Sequence, residues 1–287
     1  THITATDLVC STDGNWYAME DSLSVPDGIA YPHFARNLCR EIAPENYQVP
    51  ELCDNCGLDI LLRQLYRDIM DDDPELEGGI VVLLSQGKQD LSYFELCYMA
   101  KLTGAVVAEA EQLIVMDNKV YYQAPEGGFQ RVAIIHRLAL DSMLDPLCFD
   151  EDSPCGVPHL MEAYCAGHIA IINAPGCSLA EDRGLPYFIP AMIRYYLDEE
   201  PILPNVPTFV PWYPDQKKYV LEHMDSLIFK DVSSDRRAGA VYGDTLTTQE
   251  KRELTQRILR EPRRYIAQSR IEVETQPVLA EDGVSTR

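Results

Sequence analysis

The sequence predicts an α/β fold of the mixed, α+β kind, and three observations carry that reading. Residues 80–84, 105–108, 132–135 and 168–172 are short, continuous apolar runs. Such runs suit strands buried on both faces of a parallel sheet. Between the first two runs, residues 91–102 have helical length, with Leu91, Phe94, Tyr98 and Leu102 on one face. Strand–helix–strand at this spacing describes a βαβ layer. The chain begins differently, with two short strand patterns on either side of Asp13-Gly14, a two-residue hairpin signal.

Taken in order, residues 6–10 and 15–19 are the hairpin strands, and Pro26, Gly28 and Pro32 punctuate the segment that follows. Asp71-Asp72-Asp73-Pro74 reads as a solvated break. Ser85-Gln86-Gly87 turns the chain from the first apolar run toward the helix. In the last third, 227–230 and 240–242 read as strands joined by the polar loop 233–238, expected to be mobile without a ligand. Thr247-x-x-Glu250 is a capping box that opens a helix with Leu254 and Ile258 on one face. Pro262 stops that helix, and 265–273 reads as a further strand.

With 287 residues and 46% hydrophobic composition, the chain can bury a sizeable core in two packed units. Its formal charge of −22 disfavours nucleic acid and anionic membrane as partners. No apolar run reaches the roughly 18 residues that span a bilayer. No signal peptide opens the chain, and its strand-like start from Ile3 is the internal-looking start of a fragment. Nine cysteines, an odd number scattered through apolar segments, fit reduced thiols in a cytoplasm. Cys53-Asp54-Asn55-Cys56 is a lone C-x-x-C without a second pair. Basic residues crowd one late stretch from Arg236 and Arg237 to Arg264. That stretch is either a solvated helix face or a field that helps hold a nucleotide.

If Asp13-Gly14 forms a two-residue turn, Asp7 faces Glu20 directly across the hairpin, with Ser22 two residues on and on the same face. Opposed carboxylates repel, and a hard cation reverses that cost. Magnesium held by one or two carboxylates and substrate phosphates is the usual arrangement at phosphoryl-transfer sites. The alternative is an acidic hairpin that splays its charges into water.

Asp7, the Asp13-Gly14 turn and Glu20 resemble the metal-binding hairpin of ATP-grasp ligases. Residues 20–28 resemble the Glu-Asp-Asn-x-Arg-x-Pro-Ser-Gly stretch of the circularly permuted ATP-grasp family. Here Ser22, Ser24 and Asp27 replace its Asn, Arg and Ser, and Ala5 stands where an Arg is common. Tyr93-Phe94-Glu95, Arg137 to Asp145-Pro146, Asn173-Ala174-Pro175-Gly176, Glu181-Asp182-Arg183, residues 192–197 and Pro204-Asn205-Val206-Pro207-Thr208 follow the family order along essentially the whole chain. Leu96, Leu138 and Leu140 replace a His, an Arg and an Asp of its motifs.

The resemblance implies a permuted ATP-grasp module with an inserted βαβ domain of the pre-ATP-grasp kind. Residues 1–50 would be its metal-binding half, 51–205 the βαβ domain, and 206–287 a nucleotide-binding half that is incomplete at its C-terminus. It implies ATP and magnesium, with Asp7, Glu20 and Ser22 on the metal. Lys230 would lie at the phosphates, and Gln268 would end the hinge strand beside the adenine. The loop of Arg236, Arg237 and Gly239 would cover the phosphates, although the family expects two or three glycines there and only Gly239 remains. Arg137 and Asp141 are the expected catalytic pair, and Asn173 and Arg194 the expected substrate contacts.

The implied activity is an ATP-dependent carboxylate–amine ligase acting through an acyl phosphate on small-molecule or peptide substrates. The competing reading is a degenerate paralogue that binds or scaffolds a protein of the same pathway without catalysis. A third is a small-molecule-binding domain that uses only the crevice at the strand C-termini of the βαβ layer.

Overall fold

The turn of the opening hairpin is one residue longer than Asp13-Gly14 predicts. Strands β1 (Ala5–Cys10) and β2 (Trp16–Ser22) pair with each other. Ser11 N–H donates to the Asn15 carbonyl at 2.9 Å and Gly14 N–H to the Ser11 carbonyl at 2.8 Å, so the loop is Thr12-Asp13-Gly14. Gly14 takes φ +81°, as the left-handed third position of such a loop requires. Asp13 drives the extension, because its carboxylate accepts from the Ser11 hydroxyl and from the side-chain amide of Asn15. Further along the strands, Thr6 Oγ1 donates to Asp21 Oδ1 at 2.6 Å, in the positions flanking Asp7 and Glu20.

The computed structural model describes residues 1–47, 57–232, 239–280 and 283–286. They divide into two compact units, 1–5 with 22–178, and 6–21 with 179–287. The expected 1–50 segment is therefore shared between both units. Backbone hydrogen bonds give the physical reason. Ala18 exchanges bonds with Pro204 and Val206, and the turn end bonds to Glu272 and Glu274. These stitches tie the hairpin to the C-terminal unit.

In the first unit, α1 (Ala30–Ile42) and α2 (Leu58–Asp72) precede β3 (Ile80–Ser85), α3 (Tyr93–Thr103) and β4 (Val106–Glu109). Next come β5 (Leu113–Met116), β6 (Lys119–Gln123), β7 (Phe129–Arg137), α4 (Leu160–Cys165) and β8 (Ala170–Ile172). The sheet runs β4-β3-β7-β6-β5, with β8 also on β7. Strands β4, β3, β7 and β8 are mutually parallel, which is the predicted βαβ layer. Val82 and Leu84 pack in one core cluster while Leu83 between them packs in another. A strand buried on both faces explains the unbroken apolar run. Each such side chain contributes about 1.5–3 kcal/mol on burial. Gly104 at φ +82° ends α3, its N–H donating to the Ala100 carbonyl, as a left-handed C-terminal glycine does.

In the second unit, α5 (Ile189–Leu197), β9 (Thr208–Phe209) and α6 (Pro214–Glu222) lead to β10 (Leu227–Asp231), β11 (Val241–Tyr242), α7 (Thr248–Arg260) and β12 (Tyr265–Ser269). An antiparallel sheet runs β11-β10-β12-β9. The capping box is present, Thr247 Oγ1 accepting from Glu250 N–H and Glu250 Oε2 from Thr247 N–H. Leu254 and Ile258 pack with Leu227, Phe229 and Ala267 in the core of this unit. Strand β12 ends at Ser269, four residues short of its expected limit, and two further strands, Pro277–Ala280 and Gly283–Thr286, pair with each other. The C-x-x-C pair and the 233–238 loop lie outside the described residues. All seven described cysteines are free thiols.

Candidate functional site

Strand alternation decides which residues of the second unit meet. Leu227 and Phe229 point into the core, so Ile228 and Lys230 project from the opposite face of β10. On β12 the register places Gln268 opposite Ile228, and Ala267, which belongs to the core, opposite Phe229. The hairpin, stitched to 204–206, brings Glu20 to the same place. Glu20, Lys230, Gly239 and Gln268 line one cavity of about 510 Å³. This is within the range of small-molecule pockets. Its other walls include Met19, Val206, Ile228 and Tyr242, so an apolar chamber carries a few polar groups.

Lys230 Nζ donates to Glu20 Oε1, and the two side chains are only 10% and 20% exposed. The expected phosphate lysine and the expected metal carboxylate are therefore partners of each other. Gln268, 3% exposed, has its orientation set by a short relay. The Thr208 hydroxyl donates to the Val206 carbonyl at 2.8 Å, so Thr208 Oγ1 accepts from Gln268 Nε2 at 3.1 Å. The amide nitrogen is thereby assigned to Thr208, and the other end of the amide is an acceptor. A ligand donor, such as the exocyclic amino group of a base, complements that oxygen.

The expected catalytic pair is in the first unit. Arg137 stands at the end of β7 and is 1% exposed. Its guanidinium donates to the carbonyls of Asn173 and Ala139 and to Asp141 Oδ1. The second oxygen of Asp141 accepts from Gly176 N–H at 3.1 Å and from Ser178 Oγ at 2.5 Å. Asn173 is also 1% exposed. Its oxygen accepts from the His2 and Ile3 N–H groups, and its nitrogen donates to the Ile3 and Leu23 carbonyls. Four bonds match the full capacity of an amide. Here Arg137, Asp141 and Asn173 hold backbone segments together. Next to them, His136 Nδ1 lies 2.8 Å from the Tyr66 hydroxyl. Burial first, then the charge of Arg137 and the nearby His2, pulls His136 down to about 4. Burial pushes the Tyr66 phenol up.

The remaining expected residues are scattered. Arg194, on the exposed α5, forks onto both oxygens of Glu200 at 3.0 and 2.9 Å. These bonds hold the Glu200 carboxyl below its ordinary value. Asp7 is exposed on β1. Ser22 belongs to the first unit and donates to the Val25 carbonyl at 3.3 Å. Arg236 and Arg237 lie outside the described residues.

Among the described residues, no group of three or more His, Cys, Asp or Glu side chains could hold a metal on its own. One or two carboxylates on a cavity wall fit an ion whose shell is completed by substrate phosphates, as magnesium's usually is. Glu20 meets that description. No helix among the described residues is long and apolar enough to cross a membrane.

Two features escaped sequence reasoning. Arg183, 7% exposed, lines the cavity and donates to the Asp231 carbonyl beside Lys230 at 3.0 Å. Thr208 orients Gln268. Both sit in stretches whose order along the chain was legible, Glu181-Asp182-Arg183 and Pro204 to Thr208. Nothing local distinguishes them from loop residues.

Known proteins resemble this chain in sequence and in fold. The family model described as circularly permuted ATP-grasp type 2 matches residues 1–287. An uncharacterized protein from Synechocystis sp. is 36% identical over 287 residues, 100% of this chain and 59% of that protein. A Frankia alni protein provisionally named glutamate–cysteine ligase 2-3 is 32% identical over 272 residues, 94% of this chain and 31% of its own length. The chain thus spans well under two-thirds of either relative. A solved structure of a glutathione synthetase-like effector from Globodera pallida, in its apo form, matches in fold with a TM-score of 0.59 at 10% identity. That match covers 96% of this chain and 61% of the effector.

Proposed function

The chain belongs to the circularly permuted ATP-grasp type 2 family, and from that premise we propose that it is the nucleotide-holding core of an ATP-dependent carboxylate–amine ligase. The observation that carries this is the cavity of the second unit. It gathers Glu20, Lys230, Gly239 and Gln268 from three distant parts of the sequence.

In the proposed reaction a substrate carboxylate oxygen attacks the γ-phosphorus of ATP. ADP leaves, and an acyl phosphate forms. An amine then attacks the acyl carbon, expels inorganic phosphate and loses a proton, leaving an amide. Lys230 would hold the α- and β-phosphates as a point charge. Gln268 would accept from the adenine amino group, and the apolar walls would take the ring. Glu20 would hold magnesium, which when bound neutralises phosphate charge. No protein nucleophile is required, because the substrates carry the covalent chemistry. The ligase naming of the Frankia alni relative supports an amino-acid carboxylate and an amine as the substrate classes.

A second reading is binding without catalysis, favoured because the polar groups expected to act on substrate are engaged by protein. Arg137, Asp141, Asn173 and Arg194 all have protein partners. Titration with MgATP followed by a phosphate-release assay against a panel of amino acids and amines separates the two. Ligation predicts nucleotide binding plus phosphate release that needs both co-substrates. Binding without release under every pairing supports the scaffold reading. Absence of nucleotide binding overturns both.

A further inference from the structure

We propose that α5 and the turn after it form a docking surface for a basic amphipathic helix of another protein. The inference stands apart from the nucleotide reading and holds or fails without it.

The observation is an apolar helix that buries nothing. Arg194 is the only charged residue of α5, the others being aliphatic, aromatic or proline, and no residue of the helix is buried. A helix apolar all round is ordinarily buried, and so short a helix draws its stability from packing. Met192, Tyr195 and Tyr196 stand three and four residues apart and so share one face. Tyr195 and Tyr196 are 81% and 73% exposed, with their rings edge to face at 4.9 Å. Leu197 at the end of the helix and Ile202 beyond the turn are exposed as well, Ile202 at 96%. Apolar surface of this kind, rimmed by polar groups, marks an interaction site.

The turn has a defined path. Asp198 ends the helix in the left-handed region at φ +54°. The two bonds from Arg194 to Glu200 fold residues 198–200 back onto the helix, and a forked pair of this kind fixes direction as well as distance. Arg194, nominated from the sequence as a substrate contact, is thus a positioning residue for the turn. Tyrosine is a common anchor of interfaces, because its large ring loses little freedom on binding.

Charge selects the occupant. The one cation of the helix is engaged by Glu200, while Asp198 and Glu199 are exposed and have no side-chain partner among the described residues. The surface therefore offers two aromatic faces, an apolar strip and two carboxylates. Lysine or arginine side chains complement all three. Their cations stack on tyrosine faces, their alkyl stems cover apolar side chains, and their charges meet Asp198 and Glu199. The apolar face of the same partner helix packs on Met192 and Leu197. With −22 on the whole chain, a basic partner is steered in. The same field repels a second copy of this chain and an anionic lipid surface.

The test is calorimetric titration of the full chain with a synthetic amphipathic leucine–lysine helix, with a leucine–glutamate peptide of the same pattern as control. Hydrogen exchange read by mass spectrometry locates the contact. Tyr195→Ser with Tyr196→Ser leaves the net charge unaltered, so it separates docking from unspecific attraction of a cation to an acidic chain. Asp198→Lys with Glu199→Lys is compared with Asp71→Lys with Asp72→Lys, which alters the charge equally on α2 of the first unit. Circular dichroism first confirms folding, and Met192→Ser replaces the tyrosine pair if that variant does not fold. The leucine–lysine peptide alone should bind and should protect residues 189–203. The tyrosine substitutions should weaken it by about tenfold or more. Lysines at 198 and 199 should weaken it more than lysines at 71 and 72. Absence of binding, protection elsewhere, unaltered affinity in the tyrosine variant or equal losses in the two charge variants overturns the inference. Protection of 189–203 by self-association without peptide gives the face to a second copy and overturns it too. Protection of the same residues by phosphatidylcholine or phosphatidylglycerol vesicles gives the face to a membrane, with the same consequence.

Discussion

Two polar clusters, one in each unit, hold Arg137, Asp141 and Asn173 in the first and Glu20, Lys230 and Gln268 in the second, and they are built to opposite plans. In the first unit Arg137, Asp141 and Asn173 direct their groups at backbone segments on every side. In the second, Glu20, Lys230 and Gln268 bond to protein as well, yet they line a cavity of about 510 Å³. Residue type and motif order do not separate the two plans. What separates them is accessible volume beside the polar atoms, and volume depends on packing that no local pattern encodes. A buried arginine at a strand end is a brace unless space is left for a ligand.

The comparison makes its largest prediction at Arg137. Arg137→Met strips a buried partner from Asp141 and should cost about 3–5 kcal/mol of stability. Urea unfolding monitored by circular dichroism would show it. A variant with unaltered stability and lost ligand binding would move Arg137 from the brace to the site.

Acid should probe the same cluster. The folded-state pKa of His136 is lowered to about 4 from an ordinary 6.5. Below pH 6.5 the unfolded chain takes up a proton that the folded chain refuses. Stability from this group is thus complete above pH 6.5 and declines as the pH falls toward 4. The loss is about 3 kcal/mol from this group alone, at 1.36 kcal/mol for each pH unit of difference. Unfolding free energies measured between pH 7 and 4 should fall less steeply in His136→Gln. Parallel profiles for the two proteins would contradict the assignment.

In the second unit the larger effects should fall on binding. Lys230→Met should weaken MgATP binding by about 10- to 100-fold, the loss of one charged contact. Thr208→Val should have the smallest effect, near 1 kcal/mol, since it removes only the acceptor that orients Gln268. The readout is discrimination. ATP and GTP affinities should converge in Thr208→Val, and an unchanged ratio would show that Gln268 does not read the base.

Legibility followed the same division. Strands β3, β4, β7 and β8 were readable because burial on both faces leaves an unbroken apolar run. The β5–β6 hairpin was missed, although Asp117 and Asn118 occupy its two-residue turn at φ +51° and +57°. Asp-Asn is a weaker form of the Asn-Gly signature, and the two strands mix buried with exposed positions. Helices α1 and α5 were passed over because much of their apolar surface stays exposed, as at Phe34, Leu38, Tyr195 and Tyr196. At the site, Lys230 and Gln268 could be nominated by family order. The contact between Lys230 and Glu20 spans 210 positions and exists only because the hairpin is stitched to 204–206. Arg183 reaches the cavity by the same tertiary route.

The central claim is that the cavity of the second unit, and not the braced cluster of the first, is the nucleotide site. Calorimetric titration of magnesium with a non-hydrolysable ATP analogue into the unmodified chain, Lys230→Met and Asp141→Asn tests it most directly. The account predicts binding in the high micromolar range for the unmodified chain, consistent with the glycine-poor loop before Gly239. It predicts that binding is weakened about 10- to 100-fold in Lys230→Met and retained by whatever fraction of Asp141→Asn remains folded. Binding untouched by Lys230→Met and abolished in folded Asp141→Asn would contradict it.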